Sequence, residues 1–408
     1  MPTLVNSSLR VALFTDAFHE ANGVATLSRH LAEFARDNGL PFLVVHGGRQ
    51  TSLSQDGSLE TLELKRGFAA FPLDKDLYCD PLLMRHKQLV IDHLLVFKPD
   101  LVHITGPGDV GLLGIWVAHI LHVPLVASWH TNLHEYLARR LDRMLQLVPR
   151  KLRDRATCAV KQQSLRGLLR LYRMVRFVLA PNQAMVDLLH AKTGHPAFLM
   201  LHGVDLAGYR PAQPGSHAGR PFCIGYVGRL TTEKNVRLFA EIEQAVIVAG
   251  DQNYRFLIVG QGGQENWLRK HLRSAEFPGL LRGKELAAAY TRMDAFVFPS
   301  RTDTFGLVIL EAMASGVPVI VTPETGECVG IKDGVSGFLS EDFPASLQRL
   351  MRDHALRLAM SCAARKFADR NSWQFVFEQL YRTYADGLAA CRSSEIYCAG
   401  DMLLRPKQ

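Results

Sequence analysis

A chain of 408 residues with 48% hydrophobic composition can bury ample core and is long enough for two or three domains of ordinary size. Its seven cysteines form no CxxC pair and stand at no ligand spacing with histidine, so neither a zinc module nor a disulfide scaffold is expected, and a reducing cytoplasm is the predicted location. A formal net charge of +8 admits nucleic acid, anionic lipid or phosphorylated small molecules as partners.

The opening MPTLVNSSLRVALF has neither a basic start nor a long apolar core, and no later segment approaches about eighteen apolar residues without charge. Neither a signal peptide nor a membrane span is predicted. Arg10 to Phe14 reads as a first strand, and DAFHEANGV, from Asp16 to Val24, as a polar loop before an apolar-periodic helix reaching about Arg36. Gly23, with Asn22 before it, would let a backbone approach a phosphate closely, although the turn is not GxGxxG.

Further units follow: a strand near Phe42 to Val45, a helix from Leu82 to Phe97, a strand Leu101 to Ile104, a glycine-spaced helix from Val110 to Leu121 and a strand Leu125 to Ser128. Such alternation predicts a parallel, doubly wound sheet whose ligands sit at the carboxyl ends of its strands. His130, in ASWHTNLHEY, falls at one such end. A lone histidine there fits capping and packing as well as chemistry.

Between Arg139 and Arg176, twelve basic residues stand against Asp142 and Asp154, a net of +10 that exceeds the balance of the whole chain. Arg166, Arg170 and Arg173 share one helical face, and Leu165, Leu168, Leu169, Tyr172 and Val175 another. Two readings stand side by side. One is the solvated face of an ordinary helix; the other is an electrostatic dock for an anionic bilayer, with each Lys or Arg worth roughly 1 kcal/mol and the attraction fading over about 10 Å. No nucleic-acid motif or basic–aromatic pattern accompanies the charge, so lipid is the expected partner and nucleic acid is not.

Phe177 to Ala180 reads as a strand and Gln183 to Lys192 as a helix, after which HGVDLAGYRPAQPGSHAGRP collects glycines and prolines. The predicted organisation is therefore residues 1–206 as a first domain, 207–221 as a linker, 222–372 as a second domain and 373–408 as a final helix with a tail. The second series opens with a strand from Phe222 to Val227, followed at once by GYVGRLTTEKN, which places Arg229 and Lys234 in a loop at the strand's carboxyl end. Two cations there suit phosphate oxygens.

A helix after Asn235, a strand Phe256 to Val259 and helices from Gln264 to Leu272 and near Glu285 to Tyr290 lead to the strand Ala295 to Phe298, ended by Pro299 and Ser300. From Gly306 to Ala314 the residues Leu307, Ile309, Leu310 and Met313 recur at helical spacing. The intervening loop delivers Asp303, Thr304 and the amides of Phe305 and Gly306 to a helix N-terminus, where an anion is favoured. Asp303 and Glu311 then flank that position with acceptors for hydroxyls, a constellation that suits a phosphate with polyols on either side, as in a nucleotide sugar. Taken alone, the same pair reads equally as an N-cap and a solvated helix residue.

Nearly the whole chain resembles the retaining glycosyltransferases of the GT-B fold, in particular the large family 4 of bacterial mannosyl- and glucosyltransferases and sulfoquinovosyl-diacylglycerol synthases. The pieces that carry the resemblance, in the family's order, are TDAFHEANGVAT, VASWHTNLHEY, LHGVDLAGYRP, GYVGRLTTEKN, LIVGQGG, AAAYTRMDAFVFPS and TDTFGLVILEAMASG. It implies an α/β architecture of two Rossmann-like domains whose parallel sheets face across a cleft, with the helix around Trp373 to Leu388 crossing back to the first half. It also implies a hexose moved from a UDP- or GDP-sugar to a hydroxyl acceptor, on a lipid or lipid-linked glycan, by same-face displacement in which the leaving phosphate takes the acceptor's proton. Arg229 and Lys234 would hold the diphosphate, with the amides of Gly23, Phe305, Gly306 and Leu307 around it and Asn22 and Thr304 beside it. Asp303 would bind hydroxyls of the transferred sugar, Glu311 the ribose, and His130 would line the cleft near the reacting carbon. No metal and no cofactor is implied. An epimerase or hydrolase of the same fold and a non-catalytic nucleotide-sugar binder are the alternatives. Two departures stand out: Asp303 replaces the family's usual glutamate, and TPETGECVGIKDG replaces a GGP segment, so that Gly326 and Glu327 are poor guides to donor choice.

Overall fold

The computed structural model describes residues 9–393 apart from 21, 75–76, 131–140, 143, 146–147, 214, 216–218, 252 and 302–305. The chain divides into two compact units, one built from the chain up to Leu201 together with the segment from Val376, the other from His202–Phe375. The described part of 207–221, read above as a linker, lies in the second unit. There the Tyr209 ring meets that of Tyr290 edge-on at 5.6 Å and its carbonyl accepts from Arg365 at 2.9 Å.

In the first unit the elements run β1 (Val11–Thr15), α1 (Gly23–Asp37), β2 (Phe42–Gly48), β3 (Ser52–Asp56), β4 (Leu59–Lys65), β5 (Phe71–Asp74), β6 (Leu77–Cys79), α2 (Lys87–Phe97), β7 (Leu101–Ile104), α3 (Asp109–Ile120), β8 (Leu125–Ser128), α4 (Arg150–Tyr172), β9 (Phe177–Ala180), α5 (Gln183–Thr193) and β10 (Ala197–Leu199). Eight of these strands form one sheet in the order β10-β9-β8-β7-β1-β2-β4-β3, parallel except for the final β3–β4 hairpin. Continuous apolar strands such as VALFT and FVLA are buried along their whole length, as strands covered on both faces must be. The helix expected over Leu82 to Phe97 is a 3-10 turn at Leu83–His86 that passes into α2. The basic helix is longer than its amphipathic stretch, starting at Arg150 after Pro149, which fits a first turn that needs no donor before it.

In the second unit come β11 (Phe222–Val227), α6 (Leu238–Val248), β12 (Tyr254–Val259), α7 (Glu265–His271), β13 (Ala275–Gly279), α8 (Gly283–Tyr290), β14 (Ala295–Phe298), α9 (Leu307–Ala314), β15 (Val319–Val321), α10 (Pro323–Val329), β16 (Gly337–Leu339), α11 (Phe343–Arg352) and α12 (His354–Asp369). Its six-stranded sheet, β13-β12-β11-β14-β15-β16, is parallel throughout.

The last helix, α13 (Trp373–Ser393), starts in the second unit and belongs to the first from Val376. Phe377 and Tyr381 pack their rings on Phe34 of α1 at 5.5 and 5.9 Å, and Tyr384 packs on His103 of β7 at 5.7 Å. A segment from the far end of the chain thus completes the first unit's core. Among the described residues no helix is long and apolar enough to cross a membrane.

Candidate active site

An open parallel sheet binds its ligands where neighbouring strands send their connections to opposite sides. In the second unit that point lies between β11 and β14, because β12 and β13 extend from one side of β11 while β14, β15 and β16 extend from the other. The loops leaving these two strands carry Arg229 and Lys234 on one hand, and Pro299, Ser300 and Arg301 on the other.

The β11 loop is fixed by main-chain bonds to its neighbour: Gly228 N donates to Val259 O at 3.0 Å and Leu230 N to Gln261 O at 2.9 Å. Tyr226 Oη donates to the carbonyl of Arg229 at 2.9 Å. The two loops lie so close that a Cβ on Gly260 would stand 1.9 Å from the Gly228 carbonyl oxygen, and Gly260 itself has φ +130°. Only glycine satisfies both conditions.

Lys234 closes a 3-10 turn, Thr232–Lys234, and holds its Nζ 5.6 Å from the ring centroid of Phe298, the last residue of β14. The Arg229 guanidinium is exposed and paired with Glu233 at 2.9 Å. After β14, the Ser300 carbonyl accepts from Thr322 Oγ1 at 3.1 Å and Thr325 Oγ1 at 2.7 Å, which ties the start of the loop to α10. Asp303, Thr304 and Phe305 lie outside the described residues. Gly306, at φ +72°, precedes α9, and Leu307 is its first residue.

Glu311, on the second turn of α9, accepts from Tyr290 Oη at 2.8 Å and bonds the hydroxyl of Tyr209. Burial lifts its carboxyl above the ordinary glutamate range, while the two phenols pull it back. Burial raises both phenols in turn, so they stay protonated and donate.

In the first unit the corresponding switch lies between β1 and β7. Asp16, just past β1, caps α3: its carboxylate accepts from the amides of Gly108 at 3.0 Å, Val110 at 2.9 Å and Gly111 at 3.3 Å. Burial and the neighbouring Asp109 carboxylate push Asp16 well above the usual aspartate value. Asp109 is itself held by Arg66 at 2.6 Å and by the amide of Asp80 at 2.7 Å.

Gly23 is exposed and opens α1, presenting an amide that the helix does not use. Asn22, just before it, caps α1, its Oδ1 accepting from Ala25 N at 2.9 Å. His130 follows β8 and places Nε2 2.6 Å from Ser128 Oγ.

Burial also holds His46, His103 and His130 below the ordinary histidine value, His103 at about 3 and His130 at about 4. Each therefore takes up a proton on unfolding once the pH drops below about 6.5, whereas Asp16 releases one and acts in the opposite sense. His103 and His130 by themselves outweigh Asp16. Stability of the first unit should fall on acidification from pH 6.5 to 5, by roughly 1.4 kcal/mol per pH unit for each uncompensated proton. Urea unfolding at the two pH values measures this, and a midpoint that holds steady or rises on acidification would contradict it.

The profile described as Glycosyltransferase Family 4 matches residues 21–207, and that described as Glycosyl transferases group 1 matches residues 221–353. A GDP-mannose-dependent alpha-mannosyltransferase of Mycolicibacterium smegmatis is 32% identical to this chain, covering 71% of it and 74% of the relative. The chain belongs to glycosyltransferase family 4. An alpha-monoglucosyldiacylglycerol synthase of Streptococcus pneumoniae is 25% identical over 76% of this glycosyltransferase and 70% of the relative. The sucrose-phosphate synthase of Thermosynechococcus elongatus superposes with a TM-score of 0.67 at 19% identity, covering 94% of this chain and 100% of that one, which establishes the fold of this glycosyltransferase as GT-B.

β11 and β14 end at Val227 and Phe298, where the sequence set them, whereas the residues that support Glu311 and α3 carried no local signal. Tyr209 and Tyr290 fall in a turn and at the end of a short helix, and only the fold brings both to Glu311. Asp16 opens the DAFHEANGV loop, and its task depends on α3 beginning beside it, which no local pattern shows.

Proposed function

We propose that this glycosyltransferase moves a hexose from a UDP- or GDP-sugar to a hydroxyl acceptor with retention of anomeric configuration and without a metal ion. The observation that carries the reading is the pairing of two loops at one switch point of the second unit, with Lys234 held 5.6 Å from the Phe298 ring at the end of β14. Arg229 and Lys234 are assigned to the donor diphosphate, with the amides of Phe305, Gly306 and Leu307 at the start of α9. Asp303 takes hydroxyls of the sugar, with Thr304 beside it, and Glu311 takes the ribose. From the first unit, the amide of Gly23 and the imidazole of His130 are offered to substrate. The acceptor oxygen bonds to the anomeric carbon as the carbon–phosphate oxygen bond breaks, and the departing phosphate oxygen takes the acceptor's proton.

The acceptor is proposed to be a lipid or lipid-linked hydroxyl reached from an anionic membrane surface inside the cell. Lys151, Arg155, Lys161, Arg166, Arg170 and Arg173 are exposed along and just beyond α4, and a relative's name specifies a diacylglycerol product. Liposome flotation tests this: equal recovery with neutral and anionic vesicles would remove the membrane from the proposal.

A panel of UDP-, GDP- and ADP-sugars scored by thermal stabilisation tests the donor, because a ligand of the native state raises its melting temperature. The anomer formed, read by NMR, tests retention. Glu311→Gln should raise the Kd for the preferred nucleoside diphosphate by roughly 10- to 100-fold, the worth of a charged hydrogen bond. Calorimetry with an unchanged Kd would detach Glu311 from the ribose.

A further inference from the structure

A continuous line of hydrogen bonds runs through the buried interior of the first unit and reaches His130. Tyr384 Oη, on α13, lies 2.7 Å from His103 Nδ1; His103 Nε2 lies 2.9 Å from Ser128 Oγ; and Ser128 Oγ lies 2.6 Å from His130 Nε2. Tyr384 and His103 are fully buried and Ser128 is 1% exposed. We propose that Tyr384, His103 and Ser128 are positioning residues that fix His130 as the tautomer with its proton on Nδ1, so that it meets substrate as a hydrogen-bond donor and not as a base.

The direction of every bond follows from counting protons. The Tyr384 hydroxyl has one hydrogen-bond partner among the described residues, His103 Nδ1, so a buried phenol keeps its donor satisfied only by donating there. His103 is neutral, because burial disfavours its charged form, and its one remaining proton sits on Nε2 and goes to Ser128 Oγ. Ser128 has one proton and two acceptors, the Ile104 carbonyl at 3.4 Å and His130 Nε2 at 2.6 Å. The shorter contact has the length of an O–H donor and is too short for an ordinary N–H donor, so the proton goes to His130. Nε2 therefore accepts, and a neutral imidazole that accepts there carries its proton on Nδ1.

The consequence rests on the proposed function and sharpens it. An imidazole that is neutral, already protonated on Nδ1 and occupied on Nε2 has no site for the acceptor's proton, which leaves the departing phosphate oxygen to take it. The residue that governs this lies 281 positions from His103, on a helix with no other role in the site.

Long-range nitrogen–proton NMR of the full chain labelled at histidine nitrogens reads the tautomer without any substrate, with His130 assigned by the signals lost in His130→Gln. The expected wild-type pattern is a protonated Nδ1 and an unprotonated Nε2; a protonated Nε2 overturns the proposal. Tyr384→Phe and Ser128→Ala should each give a mixture of His130 tautomers and a kcat about tenfold lower, with the donor KM within about twofold. Tyr381→Phe is the control, since Tyr381 lies on the same helix, 3% exposed, and its hydroxyl has no hydrogen-bond partner among the described residues. It should keep the wild-type tautomer and rate. A wild-type kcat in both relay variants overturns the positioning role. Absence of sugar transfer with the expected tautomer intact would overturn the proposed function alone.

Discussion

Lys234→Ala and Arg229→Ala should each lower kcat and kcat/KM together by roughly 100- to 1,000-fold, with the fold intact. When the bond from sugar to diphosphate breaks, negative charge builds on the leaving oxygens, and a fixed cation is worth more to that state than to the bound donor. Loss of one such group typically costs roughly 3–4 kcal/mol. Because the lost contact strengthens only as the charge develops, the fall belongs in kcat and not in KM alone. Arg229 is 66% exposed and paired with Glu233 before substrate arrives. An exposed ion pair of this kind is worth only about 0–1 kcal/mol, so exchanging the carboxylate for a phosphate costs little. Neither side chain is part of the buried core, and the melting temperatures should therefore stay near that of the parent. Saturation kinetics with both variants decide the matter: a parental rate in both would separate these cations from the diphosphate.

Gly260→Ala should lower the melting temperature of the second unit by about 10 °C. Its Cβ would be forced to within 1.9 Å of the Gly228 carbonyl oxygen, and the backbone at φ +130° is one that residues with a side chain rarely adopt. Strain of this kind costs of order 1–3 kcal/mol before the clash is counted, and each kcal/mol shifts the midpoint of a domain of this size by about 2–4 °C. The neighbouring Gly263→Ala is the comparison, because a Cβ there meets nothing within 4 Å. Calorimetry that finds the two variants alike would mean that the β11 and β12 loops can part without cost. A separated pair would also misplace Arg229, so activity should fall along with stability.

The parallel strands were legible because burial on both faces writes them as unbroken apolar runs, such as Ala295 to Phe298, and their carboxyl ends located the loops of interest. The β3–β4 hairpin escaped notice although Asp56-Gly57 stands between two alternating stretches; its first strand is mostly exposed, so its apolar content is low. β13 escaped for a related reason, being half-buried and carrying a proline in AEFPG. Glycine and proline between Gly203 and Pro221 suggested a linker, but the same composition serves a loop that packs within one domain, as Tyr209 does on Tyr290. The amphipathic spacing of the basic segment was visible, whereas the start of α4 at Arg150 was not, since the first turns carry charge on most faces. Within the site, motifs pointed to the loop that bears Arg229 and Lys234 and to the helix that bears Glu311. The tyrosines on Glu311 and the line from Tyr384 to His130 join residues that no local pattern connects.

The route of α13 has a bearing on how the protein is made. A ribosome adding about 5–20 residues per second needs roughly 15–60 s to pass from His103 to Tyr384, which are 281 positions apart. Throughout that interval the nascent first unit lacks Phe377, Tyr381 and Tyr384, and the faces of Phe34 and His103 that they cover stay open. The second unit can finish folding while the first still waits, so premature termination after Phe375 should yield a polypeptide whose later-made half is sound and whose earlier-made half is recruited by chaperones.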